Sequence, residues 1–357
     1  MKLNKWLLDV ERRCSYREQI EGNKRLDMSE RVTSYPEFFW NDFCESLTQE
    51  DFITYPTRFQ YLELKQLLYK SYNIPARYIT LTSGSDAVIR DVFSITCSPG
   101  KNIVSTTPCF PMYEVYAKIF GCEMNYIPYE KNLSIDISKI IKSINKETSL
   151  VVLANPNSPV GDWKSIEEIS ELCRALSVLN IVLLIDEAYV EYSPGSVTSL
   201  VKEFDNLVVT RTFSKALGSA GCRVGYSVAS EYLTSYIERL RMTFPLTNAS
   251  TKFCLHVLKN YNLVEDYVNL TIKARDKFLE MLIANGFDVV PSNSNWIHIH
   301  DKTDNNKMLE ILDRENFAYK AGASIPHDSR NNWLRLTIYP EILEQKFVNE
   351  ILLEEIK

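Results

Sequence analysis

Basic residues do not predominate in this 357-residue chain: 40 lysines and arginines face 46 aspartates and glutamates, for a formal charge of −6. No basic run stands apart from that balance, which excludes a nucleic-acid partner, because phosphate backbones demand a concentrated basic face. Long hydrophobic runs are also missing. The longest, around Val178–Ile185, is interrupted by Asn180 and falls far short of a bilayer. The opening MKLNKWLLDVERRCSYREQ breaks early into charges, so neither a secretory signal nor a membrane anchor is expected. The 8 cysteines contain no C-x-x-C pair, which argues against a zinc site or a disulfide framework and for reduced thiols in the cytoplasm. Histidine is scarce, and the pair His298 and His300 shares one strand face with no third ligand nearby, so no metal is expected. Among only 11 glycines there is no G-x-G-x-x-G following a strand; Gly218, Gly221 and Gly225 are wrongly spaced and follow a lysine. A nicotinamide-binding dehydrogenase is thereby set aside.

What is present concentrates in residues 181–226. Two short apolar, β-branched runs, Ile181–Ile185 and Leu207–Thr210, read as buried parallel strands, and each ends abruptly in polar residues. Asp186 and Tyr189 follow the first; Ser214, Lys215 and Arg223 follow the second. Ligands of open α/β sheets bind outside the carboxyl ends of the strands, so these five side chains are aimed at one place. Together they suit a pyridine ring that bears an aldehyde and a phosphate. Asp186 serves the ring nitrogen, Lys215 the aldehyde, Ser214 and Arg223 the phosphate, and Tyr189 the ring oxygen.

The stretches DEAYVEY and TRTFSKALGSAGCRVGY resemble the signature of fold-type I aminotransferases that use pyridoxal 5'-phosphate, nearest to the histidinol-phosphate aminotransferases. The likeness runs from about Asp27 to Pro340. It implies an α/β fold: a three-layer large domain with a mostly parallel central sheet, plus a smaller C-terminal α+β domain. The division expected is an N-terminal segment 1–50 packing on both bodies, a large cofactor-binding domain 51–245 and a small domain 246–357. RLDMSE, at 25–30, resembles the lead-in of a divergent branch associated with surface-polysaccharide pathways.

Other site residues follow from the same resemblance. Gly84, Ser85 and Asp86 correspond to the phosphate cradle; Gly84 permits a sharp turn, and a helix opening at Ser85 presents free N–H groups. Simple capping of that helix by Ser85 and Asp86 is the alternative. Phe110 takes the place of an aromatic ring that stacks on the pyridine, without the usual hydroxyl. Tyr113 and Tyr116 read as helix packing residues. In the loop NPNSPVG either Asn157 or Ser158 donates to the ring oxygen, and Asn157 is favoured. Tyr55 is either a turn aromatic or the tyrosine that reaches the neighbouring subunit's phosphate, the latter implying a homodimer. Arg335, in WLRLT, matches the arginine that clamps the substrate's carboxylate, a task suited to its planar fork, and is otherwise a strand ion-pair partner. Lys320 stands where histidinol-phosphate enzymes carry an arginine for the substrate's phosphate.

The resemblance thus implies transfer of an amino group from a donor such as glutamate to a small, anionic or phosphorylated oxo acceptor. Lys215, Asp186 and Tyr189 form the catalytic group. The alternative is decarboxylation of a phosphorylated amino acid, as in the phosphothreonine decarboxylase-like enzymes that share these motifs. A module that merely holds the cofactor is expected to have lost the lysine or the arginine, and this chain keeps both.

Overall fold

Runs of leucine, isoleucine and valine between amphipathic segments pair into one large sheet. The computed structural model describes residues 4, 6, 7, 10, 24–300, 307–323, 325 and 333–354. A two-residue strand β1 (Lys24–Arg25) precedes β2 (Ile79–Thr82), β3 (Asn102–Thr107), β4 (Glu123–Pro128), β5 (Thr148–Ala154), β6 (Val182–Asp186), β7 (Leu207–Thr212) and β8 (Gly225–Ala229). Strands β2 to β8 form a seven-stranded sheet in the order β2-β8-β7-β6-β5-β3-β4. Only β8 runs against its neighbours.

Helices cover both faces, so alternate residues of each strand enter different cores. On β6, Leu183 and Ile185 pack with helices Arg58–Tyr72, Ile166–Val178 and Asn248–Lys259, whereas Leu184 packs with Ser85–Thr96, Met112–Ile119 and Glu231–Leu240. That is the three-layer arrangement expected. The Ile166–Val178 helix opens with a capping box formed by Ser165 and Glu168. The Arg58–Tyr72 helix begins where it does because Thr57 and Gln60 form a second capping box. Asn262–Ala284 ends at a left-handed turn, with Gly286 at a φ of 87°.

A second sheet follows, built from β9 (Asp288–Val290), β10 (Trp296–His300), β12 (Lys320–Ala323) and β13 (Trp333–Thr337); between them, β11 (Phe317–Ala318) pairs with β1. Its order is β12-β13-β10-β9, all antiparallel. One face carries Ile297, Ile299, Leu334 and Leu336 into a core with Phe278, Leu282 and Phe347, and Leu26 of the N-terminal segment joins that core. Directly opposed residues share a face, so Val290, His298, Arg335 and Lys320 form a row across the other one. The long helix Asn262–Ala284 belongs to both bodies: Val264 and Val268 pack in the large core, Phe278 and Leu282 in the small.

Candidate active site

Asp186 is the last residue of β6, in register with Ala154 of β5 and Thr210 of β7. Its carboxylate is buried, and burial pushes it up to about 6. Two hydrogen bonds work against that rise. Oδ1 accepts the Ala188 N–H at 3.1 Å, and Oδ2 accepts the Tyr113 hydroxyl at 3.1 Å. Tyr113 packs fully buried, as expected, but its hydroxyl makes it part of the site as well. Its helix, Met112–Ile119, opens just past the end of β3, so the strand-end rule that singled out Asp186 applies to it too.

The turn between β2 and the Ser85–Thr96 helix is shaped by two glycines. Gly84 adopts a φ of 81°, and a Cβ there would lie 2.9 Å from Nη2 of Arg223. A Cβ on Gly225 would meet the Ser85 nitrogen at 2.3 Å and the Gly84 carbonyl carbon at 2.4 Å. The helix N-cap is Gly84 itself, with no side-chain capping bond, so the capping alternative for Ser85 and Asp86 is not what the chain adopts. Free amides at the helix start, beside a guanidinium, make an anion site. Arg223 is in the left-handed region (φ 53°), and its Nη1 donates to the Ala220 carbonyl at 3.2 Å. The Ser214 hydroxyl lies 2.9 Å from that of Thr212, which donates to it, while the Ser214 N–H donates back to Thr212 Oγ1 at 3.1 Å. We expect Gly225→Ala to cost about 3 kcal/mol or more, because the obstacle is backbone. Thermal melts with and without added cofactor check this: the variant should melt lower and gain less from the cofactor than the parent.

The opposite wall is a chain of contacts. Lys215 Nζ donates to the Met28 carbonyl at 2.8 Å and lies 5.3 Å from the centroid of the Tyr189 ring. Tyr189 meets Trp296 edge to face at 4.5 Å, and the Arg335 guanidinium lies 5.2 Å from the Trp296 ring centroid. Arg335 Nη2 donates to the Asp27 carbonyl at 3.0 Å, while its buried Nε has no hydrogen-bond partner. Burial pulls the Arg335 guanidinium below its ordinary value, with Tyr189 and Asp27 opposing the fall. Trp296 and the carbonyls of Asp27 and Met28 went unnoticed in the sequence. A backbone carbonyl carries no residue-type signal, and Trp296 reads as an ordinary strand residue.

Of the remaining residues, Phe110 meets Tyr113 edge to face at 5.6 Å. Asn157 is buried; its Nδ2 donates to Thr106 Oγ1 at 3.3 Å and to the Pro108 carbonyl at 3.4 Å, and its Oδ1 accepts the Val160 N–H. Ser158 is half-buried. Lys320 is exposed and stands opposite Arg335. Tyr55 lies outside this set of contacts. It is 75% exposed and stacks on Phe244 at 4.3 Å.

The donor set fits pyridoxal 5'-phosphate. There is a buried carboxylate for a pyridine nitrogen, a lysine amine beside a tyrosine ring, and a glycine-lined helix start with Arg223 for a phosphate. When bound, the cofactor supplies an electron-withdrawing ring that stabilises negative charge left on a substrate carbon. The family model for aminotransferase class I and II matches residues 31–350. Histidinol-phosphate aminotransferase of Chlorobium phaeovibrioides is 31% identical over 288 residues, covering 78% of this chain and 79% of that protein. The enzyme of the same name from Pyrococcus furiosus is 31% identical over 282 residues, covering 78% and 80%. The crystal structure of Sinorhizobium meliloti histidinol-phosphate aminotransferase in complex with pyridoxal-5'-phosphate superposes with a TM-score of 0.79 at 21% identity, covering 93% of this chain and 90% of that one. The chain belongs to the class I and II aminotransferase family, where it groups with the histidinol-phosphate aminotransferases as a fold-type I, pyridoxal-phosphate-dependent transaminase.

Proposed function

We propose that this transaminase moves an amino group between an amino acid such as glutamate and a small oxo compound carrying a phosphate or another anion. The observation that carries the reading is Arg335. It is a buried guanidinium with an unpartnered Nε, packed on Trp296, and Trp296 in turn packs on Tyr189, beside which Lys215 lies. A buried cation with spare donors suits an anion brought by the substrate. Relatives named for histidinol phosphate support a phosphorylated substrate. Lys320, where the resemblance implies an arginine, points away from histidinol phosphate itself.

In this reading Lys215 would hold the cofactor, and its amine, when not so engaged, would take the proton from the substrate Cα. Asp186 holds the proton on the pyridine nitrogen, oriented by Tyr113 and the Ala188 amide. Ser214, Arg223 and the amides following Gly84 bind the cofactor's phosphate, Phe110 covers the ring, and Tyr189 with Asn157 serves its oxygen. The test is a screen of phosphorylated and plain amino donors against oxo acids, following oxo product and carbon dioxide together. Amino transfer without carbon dioxide is expected. Stoichiometric carbon dioxide would instead favour decarboxylation.

We also infer a homodimer in the cytoplasm. Phe38, Trp40, Phe52, Ile53, Tyr55 and Phe59 are large, exposed and close in sequence, an apolar surface of the kind a partner covers. Among the described residues no helix is long and apolar enough to cross a membrane, and the described cysteines are free thiols. With Tyr55 donating to the partner's phosphate site, Tyr55→Phe should weaken cofactor binding by about ten- to a hundredfold, since a hydrogen bond to a charged group is worth about 1.5–3 kcal/mol. Cofactor titration combined with sedimentation checks both points. A monomer that keeps full cofactor affinity on dilution would remove the claim.

A further inference from the structure

His298 is fully buried, and neither of its ring nitrogens has a hydrogen-bond partner. Leaving such a group unsatisfied in the interior is destabilising, a cost that a leucine would avoid. Leucine would also suit the surroundings, because Val290 pairs with His298 across the strands and forms a small apolar cluster with Ile325 and Trp333. Stability alone therefore does not explain an imidazole here.

Its position does. His298 lies opposite Arg335, and Arg335 lies opposite Lys320, so three nitrogen-bearing side chains stand side by side on three adjacent strands. Neighbouring strands are about 4.8 Å apart, so an anion held by Arg335 has Lys320 on one side and His298 on the other. Burial pushes the His298 imidazole down to about 3, and the charges of Arg335 and Lys320 add to that. The ring is therefore neutral at physiological pH, with one nitrogen carrying a proton to donate. A carboxylate offers two coplanar oxygens, which a single arginine fork can fill. A phosphate monoester offers three acceptor oxygens and leaves some free for donors on either side.

We propose that His298 is a specificity-determining residue that donates a hydrogen bond to a phosphate group on the substrate, so that this row of side chains prefers phosphate monoesters to simple carboxylates. This rests on the reading of Arg335 as the substrate's anion clamp, and it assigns a role to a residue outside the motifs.

The holoenzyme suits a direct test, because the chain has only 4 histidines. With ¹⁵N-histidine labelling, inorganic phosphate should shift the His298 ring resonances, and acetate should leave them nearly still. In turnover, His298→Leu should raise KM for phosphorylated amino donors about tenfold or more, leave KM for glutamate unchanged, and not lower the melting temperature. His298→Gln, which keeps a donor, should fall between. Resonances unmoved by phosphate, with unchanged KM in both variants, would overturn the proposal. A general loss of stability with equal losses on every substrate would do the same, by marking the ring as structural. If Arg335→Lys leaves KM for every anionic substrate unaltered, the anion-clamp reading itself fails, and the role of His298 fails with it.

Discussion

Lys215→Ala protein should be colourless when purified with excess cofactor and should lose at least about 10⁴-fold in kcat/KM. The parent should be yellow. On the roles proposed for it, two separate functions disappear with one amine. The first is covalent retention of the cofactor: the Tyr189 ring beside Lys215 has no amine to take its place, and Nζ is held by a backbone carbonyl. The second is proton transfer at the substrate Cα. A positioned general base contributes roughly 10²–10⁴-fold, and the loss of covalent attachment adds to that. The bond from Nζ to the Met28 carbonyl, at 2.8 Å, fixes the amine's position in the free protein. Visible absorbance and single-turnover kinetics on the same preparation separate the two losses. A yellow, active alanine variant would end the assignment of Lys215.

Asp186→Asn should retain cofactor yet lose about 10²–10³-fold in kcat, in the range for removing one preorganised charge from a sheltered site. The charge matters because the ring withdraws electrons well only while its nitrogen stays protonated, and a neutral amide does not hold that proton. A pH signature accompanies the loss. In the free protein the carboxyl is pushed by burial from its ordinary 3.8 to about 6. Between those values the folded protein keeps a proton that the unfolded chain releases, so this group makes stability fall as pH rises through that window. Replacement by asparagine should remove that slope from pH-dependent melts of the cofactor-free protein. Cofactor binding has the opposite sense. Pairing with a protonated pyridine requires the ionised carboxylate, so below about pH 6 affinity should fall about tenfold per pH unit on account of this group. The cofactor phosphate also titrates near pH 6 and is present in both proteins, so subtracting the asparagine variant's curve isolates Asp186.

The route from chain to site was unevenly legible. Strands β6 and β7 could be read because parallel strands covered on both faces must be apolar throughout, and their polar termini mark where the pattern stops. The start of the helix at Ile166 is likewise local, a capping box between residues three apart. Tyr113 was understood only by half. Its spacing on the Met112–Ile119 helix reports burial, and nothing in that spacing says that its hydroxyl ends on a carboxylate 73 residues away.

The same division holds for the molecule as a whole. Local order, meaning the runs, turns and caps together with the motif from Asp186 to Arg223, settles the fold class and the cofactor, because each depends on residue types at short separations. The position of the Asp27 and Met28 carbonyls against Arg335 and Lys215 depends on how the N-terminal segment docks on the second sheet. The alignment of His298 with Arg335 and Lys320 depends on strand register, where a slip of one residue would turn each side chain to the other face. Contacts of that kind come from packing between distant segments, and short-range pattern does not encode them.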